Sequence, residues 1–225
     1  DKAVTMARQV AAAKVQCLRI GFVPSAEIRI FPYILPRLRV TNPNLQIRTH
    51  NLKPAEQINE LKKGELDIIF INEDFKTDTF SSQLVLKEPL VFMLPKQHPL
   101  AEQAKISVQQ LQGVILTIFM PIVSIPLFNI IKQYMDEQQI QFQKIQEVYA
   151  LAEAVQAVHS GQSCAIVPAY MQALATDQVL VRPLNPPLPC FDVFMGYNKH
   201  EPALGIQQFL QEIRQVFALE SQPTA

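Results

Sequence analysis

The sequence predicts an α/β fold with mostly parallel sheets. Strand-like apolar runs alternate with helical patterns along most of the 225 residues, which is typical of chains built from βαβ units. Two stretches, 43–70 and 151–168, repeat one plan in which a helix is followed by a glycine and a short apolar strand. Because the chain has only 6 glycines, this repetition indicates two α/β units of similar plan. A single α/β domain with two such connections would show the same pattern.

The first of these stretches predicts a strand at 45–49, a helix at about 54–63 and a second strand at 66–70. The helix carries Ala55, Ile58 and Leu61 at helical spacing, which predicts one inward face. Gly64 follows the helix, where a left-handed residue is favoured and glycine adopts it without steric cost. The strand after it is almost wholly apolar and is therefore expected to be buried on both faces.

The second stretch has the same order of elements. Leu151, Val155 and Val158 lie on one helical face, Gly161 ends the helix, and residues 164–167 form the strand. The other predicted strands lie at 18–23, 84–94 (two apolar runs split by Lys87, Glu88 and Pro89), 114–119, 140–148, 179–181 and 191–197. The other predicted helices lie at 28–41, from Pro126 onward, at 169–175 and at 205–217.

The composition excludes several classes of protein. Twenty basic and 20 acidic residues cancel, so the chain alone is a poor ligand for nucleic-acid phosphates or an anionic membrane surface. No apolar run approaches the ~20 residues of a membrane-spanning helix. Three widely spaced cysteines without a CxxC pair argue against a disulfide scaffold or a zinc site.

Two of the cysteines lie within apolar runs. Cys17 and Cys164 are therefore expected to be small core residues in a reducing compartment, and a redox pair of Cys164 and Cys190 is the alternative. Residues 2–16 are rich in alanine and favour a helix. This segment is interpreted as the end of a longer helix, with a frayed tail as the other interpretation.

The sequence lacks the common catalytic and cofactor-binding motifs. It contains no glycine-rich phosphate loop and no GxSxG elbow, and its 4 histidines follow no metal-ligand spacing. We therefore expect no catalysis, no cofactor and no metal.

Five segments together are similar to one family. The segments LRIGFVPS at 18–25, NPNL at 42–45, LKKGELDIIF at 61–70, PLF at 126–128 and GQSCAIVPA at 161–169 resemble the effector-binding domain of LysR-type transcriptional regulators. The order and spacing of the segments carry this resemblance, which extends from about residue 18 to residue 217. Within the family, the chain looks most like benzoate- and muconate-responsive regulators of aromatic catabolism.

The resemblance implies two Rossmann-like subdomains joined by two crossing strands, as in type 2 periplasmic-binding proteins, with a small effector in the cleft between them. Subdomain I is expected at 17–92 and 196–225, subdomain II at 93–195, and the end of a linker helix at 1–16. The family also implies a winged helix-turn-helix ahead of this domain that binds promoter DNA, homodimers or homotetramers, contact with RNA polymerase and a cytoplasmic location.

The resemblance also implies the effector-binding residues. Ser25 matches a hydroxyl between the first strand and the first helix, with Ala26 beside it, and a cap for that helix is the structural alternative. Pro54 stands where aromatic-responsive members carry a threonine, and Asn72 where they carry an arginine. Lys53 is expected either beside an anionic ligand or simply in solvent. Phe128 matches an aromatic residue that faces the cleft, and Leu127 stands where a polar residue is usual. Phe70, Leu151 and Phe194 correspond to apolar wall positions, and each is equally suited to a core.

Two other classes of protein remain open on the residues. A periplasmic solute-binding protein of a transporter has the same two-lobed plan and would be exported with a signal peptide. An enzyme with a two-lobed site, such as a prephenate dehydratase or a deaminase, is the third class, and the missing catalytic motifs argue against it.

Overall fold

The computed structural model describes residues 16–141, 144–200 and 204–217. The expected linker helix lies outside these residues except for Gln16, and the C-terminal tail lies outside them as well. The chain divides into two compact units, Asp1–Leu86 with Val193–Ala225, and Lys87–Asp192. The sequence placed the divisions after residues 92 and 195, a few residues further along each connecting strand.

The first unit is a sheet with helices on both faces. Its strands are β1 (Gln16–Phe22), β2 (Leu45–Asn51), β3 (Ile68–Ile71), the first part of β4 (Phe80–Pro95) and most of β11 (Cys190–Asn198). Its helices are α1 (Pro24–Arg29), α2 (Phe31–Thr41), α3 (Pro54–Lys63) and α6 (Leu204–Phe217). Strand β1 is parallel to β2 and β3, and β3 is antiparallel to β11.

The two faces of this sheet have separate cores. On one face Ile20 and Phe70 pack with Ile34 of α2 and Phe209 of α6. On the other face Leu61 of α3 packs with Leu66, Ile69, Ile71 and Phe80. Every residue of β3 is buried, which confirms the predicted strand with two covered faces.

Glycine and proline set the helix ends as the sequence predicts, with one exception. Helix α3 spans the predicted residues, and Gly64 follows it in the left-handed conformation with φ 74°. The single helix predicted at 28–41 is wrong, because α1 ends at Arg29 and α2 begins at Phe31. Pro32 explains the break, since it has no N–H for the carbonyl of Ile28 and its ring would clash with that carbonyl.

The second unit is built around another mixed sheet. Its strand order is β9–β4–β8–β6–β7, and β5 pairs with β10 in a separate two-stranded sheet. The strands are β5 (Ile106–Ser107), β6 (Ile115–Phe119), β7 (Lys144–Val148), β8 (Cys164–Pro168), β9 (Val179–Arg182) and β10 (Leu184–Asn185), with the second part of β4. The α-helices are α4 (Ile125–Glu137) and α5 (Leu151–His159), and short 3-10 helices span Val108–Leu111 and Ala169–Leu174.

Strand β4 corrects the prediction of two apolar runs separated at Lys87, Glu88 and Pro89. It runs unbroken through all three residues. Glu88 is fully buried, and its Oε1 accepts a hydrogen bond of 2.8 Å from the backbone N–H of Tyr170. A backbone donor thus pairs with one oxygen of this carboxyl group, which offsets part of the cost of burying it within the strand.

The cysteines divide differently from the prediction. Cys164 is buried, which confirms it as a core residue, and burial raises the pKa of its thiol to about 12. Cys17 is exposed, so its assignment to the core is wrong. Side chains alternate along β1, and Leu18 and Ile20 take the buried face, which leaves Cys17 on the other.

Candidate functional site

Three parallel strands of the first unit end at the same edge of their sheet. Phe22 of β1 pairs with Asn51 of β2, and Gly21 of β1 pairs with Ile69 of β3. The segments that follow these strands therefore lie at one edge, which is where ligands bind in open α/β sheets. We call this edge, where the carboxyl ends of β1, β2 and β3 lie, the carboxyl edge. The segments that follow these strands carry Ser25, Lys53, Pro54 and Asn72.

Ser25 lies directly after β1, in the first turn of α1. Its side chain is only 2% exposed, and its Oγ has no hydrogen-bond partner among the residues that the structure describes. The Oγ does not cap α1, which begins after Val23 without a side-chain cap. Ala26 is fully buried and its N–H donates to the carbonyl of Val23 at 2.9 Å. Ala26 therefore packs beneath the edge, while Ser25 keeps an unused hydroxyl.

Lys53 and Pro54 lie in the loop between β2 and α3. Pro54 is the first residue of α3, where its missing N–H has no cost. Lys53 is exposed, and its backbone N–H donates a hydrogen bond of 3.1 Å to the carboxylate of Glu56. The N–H of the preceding Leu52 donates to the carbonyl of Phe22 at 3.4 Å, which ties this loop to the end of β1.

Gln57 is the residue of this edge that the sequence analysis missed. It is fully buried on the inner face of α3, whereas Ala55, which was expected to face inward, is exposed. Its position four residues before Leu61 is the only signal in the sequence, since residues at that spacing share a helical face. A glutamine in an otherwise apolar pattern is normally assigned to solvent.

The residues expected from β3 and β11 have different surroundings. Phe70 is fully buried, with its ring centroid 5.8 Å from that of Phe31 and 6.0 Å from that of Phe209. In this structure Phe70 is a core residue without a solvent-exposed face. Asn72 follows β3 and is half-buried. Phe194 is half-buried and pairs with Ile71 at the end of β3, so it lies at the carboxyl edge.

The loop after Asn72 is ordered by a carboxylate. A hydrogen bond from the Ser82 hydroxyl lowers the pKa of Asp74, with a further contribution from the backbone N–H of Lys76. The Lys76 N–H lies 3.2 Å from Asp74 Oδ1. These bonds fix the path of the chain as it leaves the carboxyl edge.

Three of the expected site residues, Leu127, Phe128 and Leu151, belong to the second unit. Leu127 lies in the first turn of α4, where its N–H donates a hydrogen bond of 3.3 Å to the capping hydroxyl of Ser124. Leu127 is buried, whereas Phe128 and Leu151 are half-buried. These residues follow β6 and β7, which are parallel, so they lie near the carboxyl edge of the second sheet.

Phe128 also faces a groove of about 550 Å³ between α4 and β7. The groove is lined by Ile118, Phe128, Ile131, Lys132, Met135, Asp136, Ile140, Gln141, Ile145 and Glu147. None of the other expected site residues lines it. The ring of Phe128 therefore contributes to a mostly apolar surface of the second unit.

Neither a metal centre nor a membrane helix is evident in the described ranges. Among residues 16–141, 144–200 and 204–217, no three side chains of His, Cys, Asp or Glu are grouped to hold a metal ion. In the same ranges no helix has the length and apolar character needed to span a bilayer.

Comparison with known proteins identifies the family. The model of the LysR substrate binding domain matches residues 14–218. The Hca operon transcriptional activator HcaR of Escherichia coli K12 is 29% identical over 89% of this chain and 68% of its own length. The regulator BenM of Acinetobacter baylyi is 26% identical over 98% of this chain and 73% of its own length.

The solved structures agree on the fold. The BenM effector binding domain with its effector benzoate superposes with a TM-score of 0.79 at 22% identity, covering 92% of this chain and 96% of that one. These relatives are transcriptional regulators, neither enzymes nor transporter proteins. The chain therefore belongs to the LysR family and is the ligand-sensing, effector-binding domain of a LysR-type transcriptional regulator.

Proposed function

We propose that this domain binds a small carboxylate with an aromatic or other apolar body at the carboxyl edge of the first unit. The observation that carries the proposal is the Oγ of Ser25, which is buried and without a hydrogen-bond partner among the described residues. A buried hydroxyl without a partner destabilises the fold by roughly 1–3 kcal/mol. An effector carboxylate that accepts this hydrogen bond would remove that cost.

The charge at this edge suits a monoanion. Lys53 supplies an exposed cation in the loop before α3. Pro54 and Asn72 are neutral, in place of the hydroxyl and the guanidinium that the resemblance would lead one to expect. Because Asn72 brings no charge where the resemblance gives a guanidinium, we expect this edge to favour a single carboxylate over a dicarboxylate, whose second charge is costly to desolvate.

The apolar body of the effector would lie against half-buried side chains. Phe194, Phe128 and Leu151 are half-buried and so keep part of their surface exposed. Following the resemblance, we assign Phe194 to the effector-facing residues of the first unit, and Phe128 and Leu151 to those of the second. Phe70 and Ala26 lie in the core of the first unit and Leu127 in the core of the second, because they are almost wholly buried. This assignment places specificity in the three half-buried side chains.

Calorimetric titration with benzoate, phenylacetate and cis,cis-muconate tests the proposal. We expect saturable binding of at least one monocarboxylate, and weaker binding by the double variant Ser25→Ala/Phe128→Ala. Ser163→Ala is the control, since Ser163 is a buried serine of the second unit whose hydroxyl is paired with Thr117 at 2.6 Å. Absence of binding by the wild type, or equal affinity of the double variant and the wild type, would show that the proposed site is wrong.

A pair of lysines on one helix tests the role of charge. Lys53→Gln removes the cation at the start of α3, whereas Lys62→Gln removes an exposed cation in its last turn. We expect only Lys53→Gln to weaken the binding of the carboxylate and to reduce the salt dependence of binding. Equal effects of the two substitutions would indicate that only the net charge of the domain matters.

The full-length regulator would convert effector binding into a change in transcription. We propose that it binds promoter DNA through a winged helix-turn-helix, assembles as a homodimer or homotetramer and acts in the cytoplasm without catalysis. The name of the relative HcaR describes an operon activator. Mobility-shift assays of the full-length regulator on its promoter, with and without the bound carboxylate, test this role. Identical DNA complexes in both conditions would contradict it.

A further inference from the structure

The amide of Gln57 joins two separate backbone segments of the carboxyl edge. Its Nε2 donates a hydrogen bond of 2.8 Å to the carbonyl of Leu52, in the loop between β2 and α3. Its Oε1 accepts a hydrogen bond of 3.2 Å from the N–H of Phe70 in β3. The side chain of Gln57 is fully buried, and its bond to Phe70 is buried while its bond to the half-buried Leu52 is partly so.

The strand β1 holds this amide from a third side. A Cβ atom built on Gly21 would lie 2.9 Å from Gln57 Oε1 and 2.7 Å from Leu66 Cδ1. Glycine at this position therefore lets the amide lie directly against the backbone of β1. The loop, β3 and β1 all converge on the amide of Gln57, one turn into the helix that begins at Pro54.

We propose that Gln57 is a positioning residue for the effector site. It fixes the loop carrying Lys53 and Pro54 in register with the ends of β1 and β3, and hence with Ser25. The inference rests on the proposed function, because it concerns the geometry of that same edge. Gln57 itself does not contact the effector. Its buried amide controls the position of the residues that contact it.

A buried backbone group that loses its hydrogen-bond partner costs free energy comparable to a lost hydrogen bond. If the amide is removed, the carbonyl of Leu52 and the N–H of Phe70 lose a buried partner. The β3 strand is held between β1 and β11, whereas the loop is tied to β1 by one long hydrogen bond of 3.4 Å and its half-buried Leu52 can turn the carbonyl toward water. The loop is therefore the segment that moves. A site populated in the correct geometry only part of the time binds with an affinity reduced by that fraction.

The test compares Gln57→Met with Gly64→Ala in the 225-residue chain. Methionine keeps the length and approximate volume of the side chain but supplies neither hydrogen bond of the amide. Gly64→Ala strains the left-handed residue at the far end of the same helix, where nothing lies within 4 Å of the added carbon. It therefore lowers the stability of α3 without touching the loop. Gln57→Leu, a smaller apolar side chain that likewise supplies neither hydrogen bond, replaces Gln57→Met if that variant does not fold.

Two quantities are measured at a temperature where all variants are folded. The first is the dissociation constant for benzoate, phenylacetate and muconate, and the second is amide hydrogen exchange over residues 51–57. We expect Gln57→Met to weaken the binding of the preferred acid by about tenfold or more, as it would if the correct loop position fell to a tenth of the population. We also expect faster exchange in 51–57, with neither change in Gly64→Ala.

Unchanged affinity of Gln57→Met in a domain whose wild type binds one of the acids would overturn the role of Gln57 and leave the proposed function standing. Unchanged exchange over residues 51–57 would overturn it as well. Equal losses of affinity in Gln57→Met and Gly64→Ala would show that general destabilisation of α3 is the cause. If the wild type binds none of the three acids, the proposed function fails first, and the role of Gln57 fails with it.

Discussion

Replacing Ser25 by alanine should make the effector-free domain more stable and should lower its affinity for the effector. The Oγ is almost fully buried and unpaired among the described residues, so its removal relieves a desolvation cost of about 1–3 kcal/mol. The loss of its van der Waals contacts offsets part of this gain. We expect a net increase of roughly 1 kcal/mol in the free energy of unfolding, which raises the unfolding midpoint by about 2–4 °C in a chain of this size.

The effector should reverse this order. A hydrogen bond to a carboxylate contributes about 1.5–3 kcal/mol, so Ser25→Ala should weaken binding roughly ten- to a hundredfold. A ligand that binds only the folded state adds RT ln(1 + [L]/Kd) to the free energy of unfolding. At high effector concentration the wild type should therefore unfold at a higher temperature than Ser25→Ala. Without effector, Ser25→Ala should unfold at the higher temperature.

Thermal unfolding of the wild type and Ser25→Ala over a range of effector concentrations measures the concentration at which their unfolding temperatures become equal. Ser163→Ala is the control with the opposite sign, because it breaks a paired hydroxyl and leaves Thr117 unpaired in the second unit. That control should lose stability and keep its affinity. If Ser25→Ala is less stable than the wild type without effector, the hydroxyl has a partner in the folded domain. The reasoning from an unused donor is then wrong.

Three further predictions concern other parts of the molecule. Phe70→Leu should lower the free energy of unfolding by about 1–3 kcal/mol. Titration calorimetry should show an unchanged affinity of the folded variant for the effector, and a lower affinity would indicate that Phe70 contacts the effector. Cys17 and Cys190, which are exposed, should react with a thiol reagent in the native state, whereas Cys164, whose pKa burial raises to about 12, should react only on unfolding. Burial lowers the pKa of His98 below its ordinary 6.5, so the unfolded chain binds the proton more tightly; the stability that His98 contributes should be present above pH 6.5 and be lost as the pH falls below it. Urea denaturation between pH 5 and 8 should show a smaller loss in His98→Gln, and parallel curves would contradict the assignment.

The local signals in the sequence were sufficient for most elements. Gly64 and the apolar run after it placed the end of α3 and the buried strand β3, because few residues adopt a left-handed conformation and few strands lack polar residues. Pro32 carried the break between α1 and α2, but a proline near a helix start is equally compatible with one longer helix. Cys17 was misplaced because strand alternation leaves open which of the two faces is buried.

The site was less accessible to sequence reasoning than the fold. The carboxyl edge depends on which strands are parallel neighbours, and this pairing is a property of the tertiary structure. Gln57 is polar by type, so its burial became visible only with the two backbone groups that it joins. Phe70 shows the reverse case, since an aromatic residue beside a proposed site is suited equally to its wall and to the core.

Backbone amide spectra of the ¹⁵N-labelled domain during titration with benzoate, phenylacetate and muconate test the central claim most directly. The account predicts saturable shifts for one acid that concentrate at residues 23–26, 52–57 and 72, with a second group near Phe128 and Leu151. Absence of saturable shifts with every acid, or shifts confined to the groove between α4 and β7, would contradict an effector site at the carboxyl edge of the first unit.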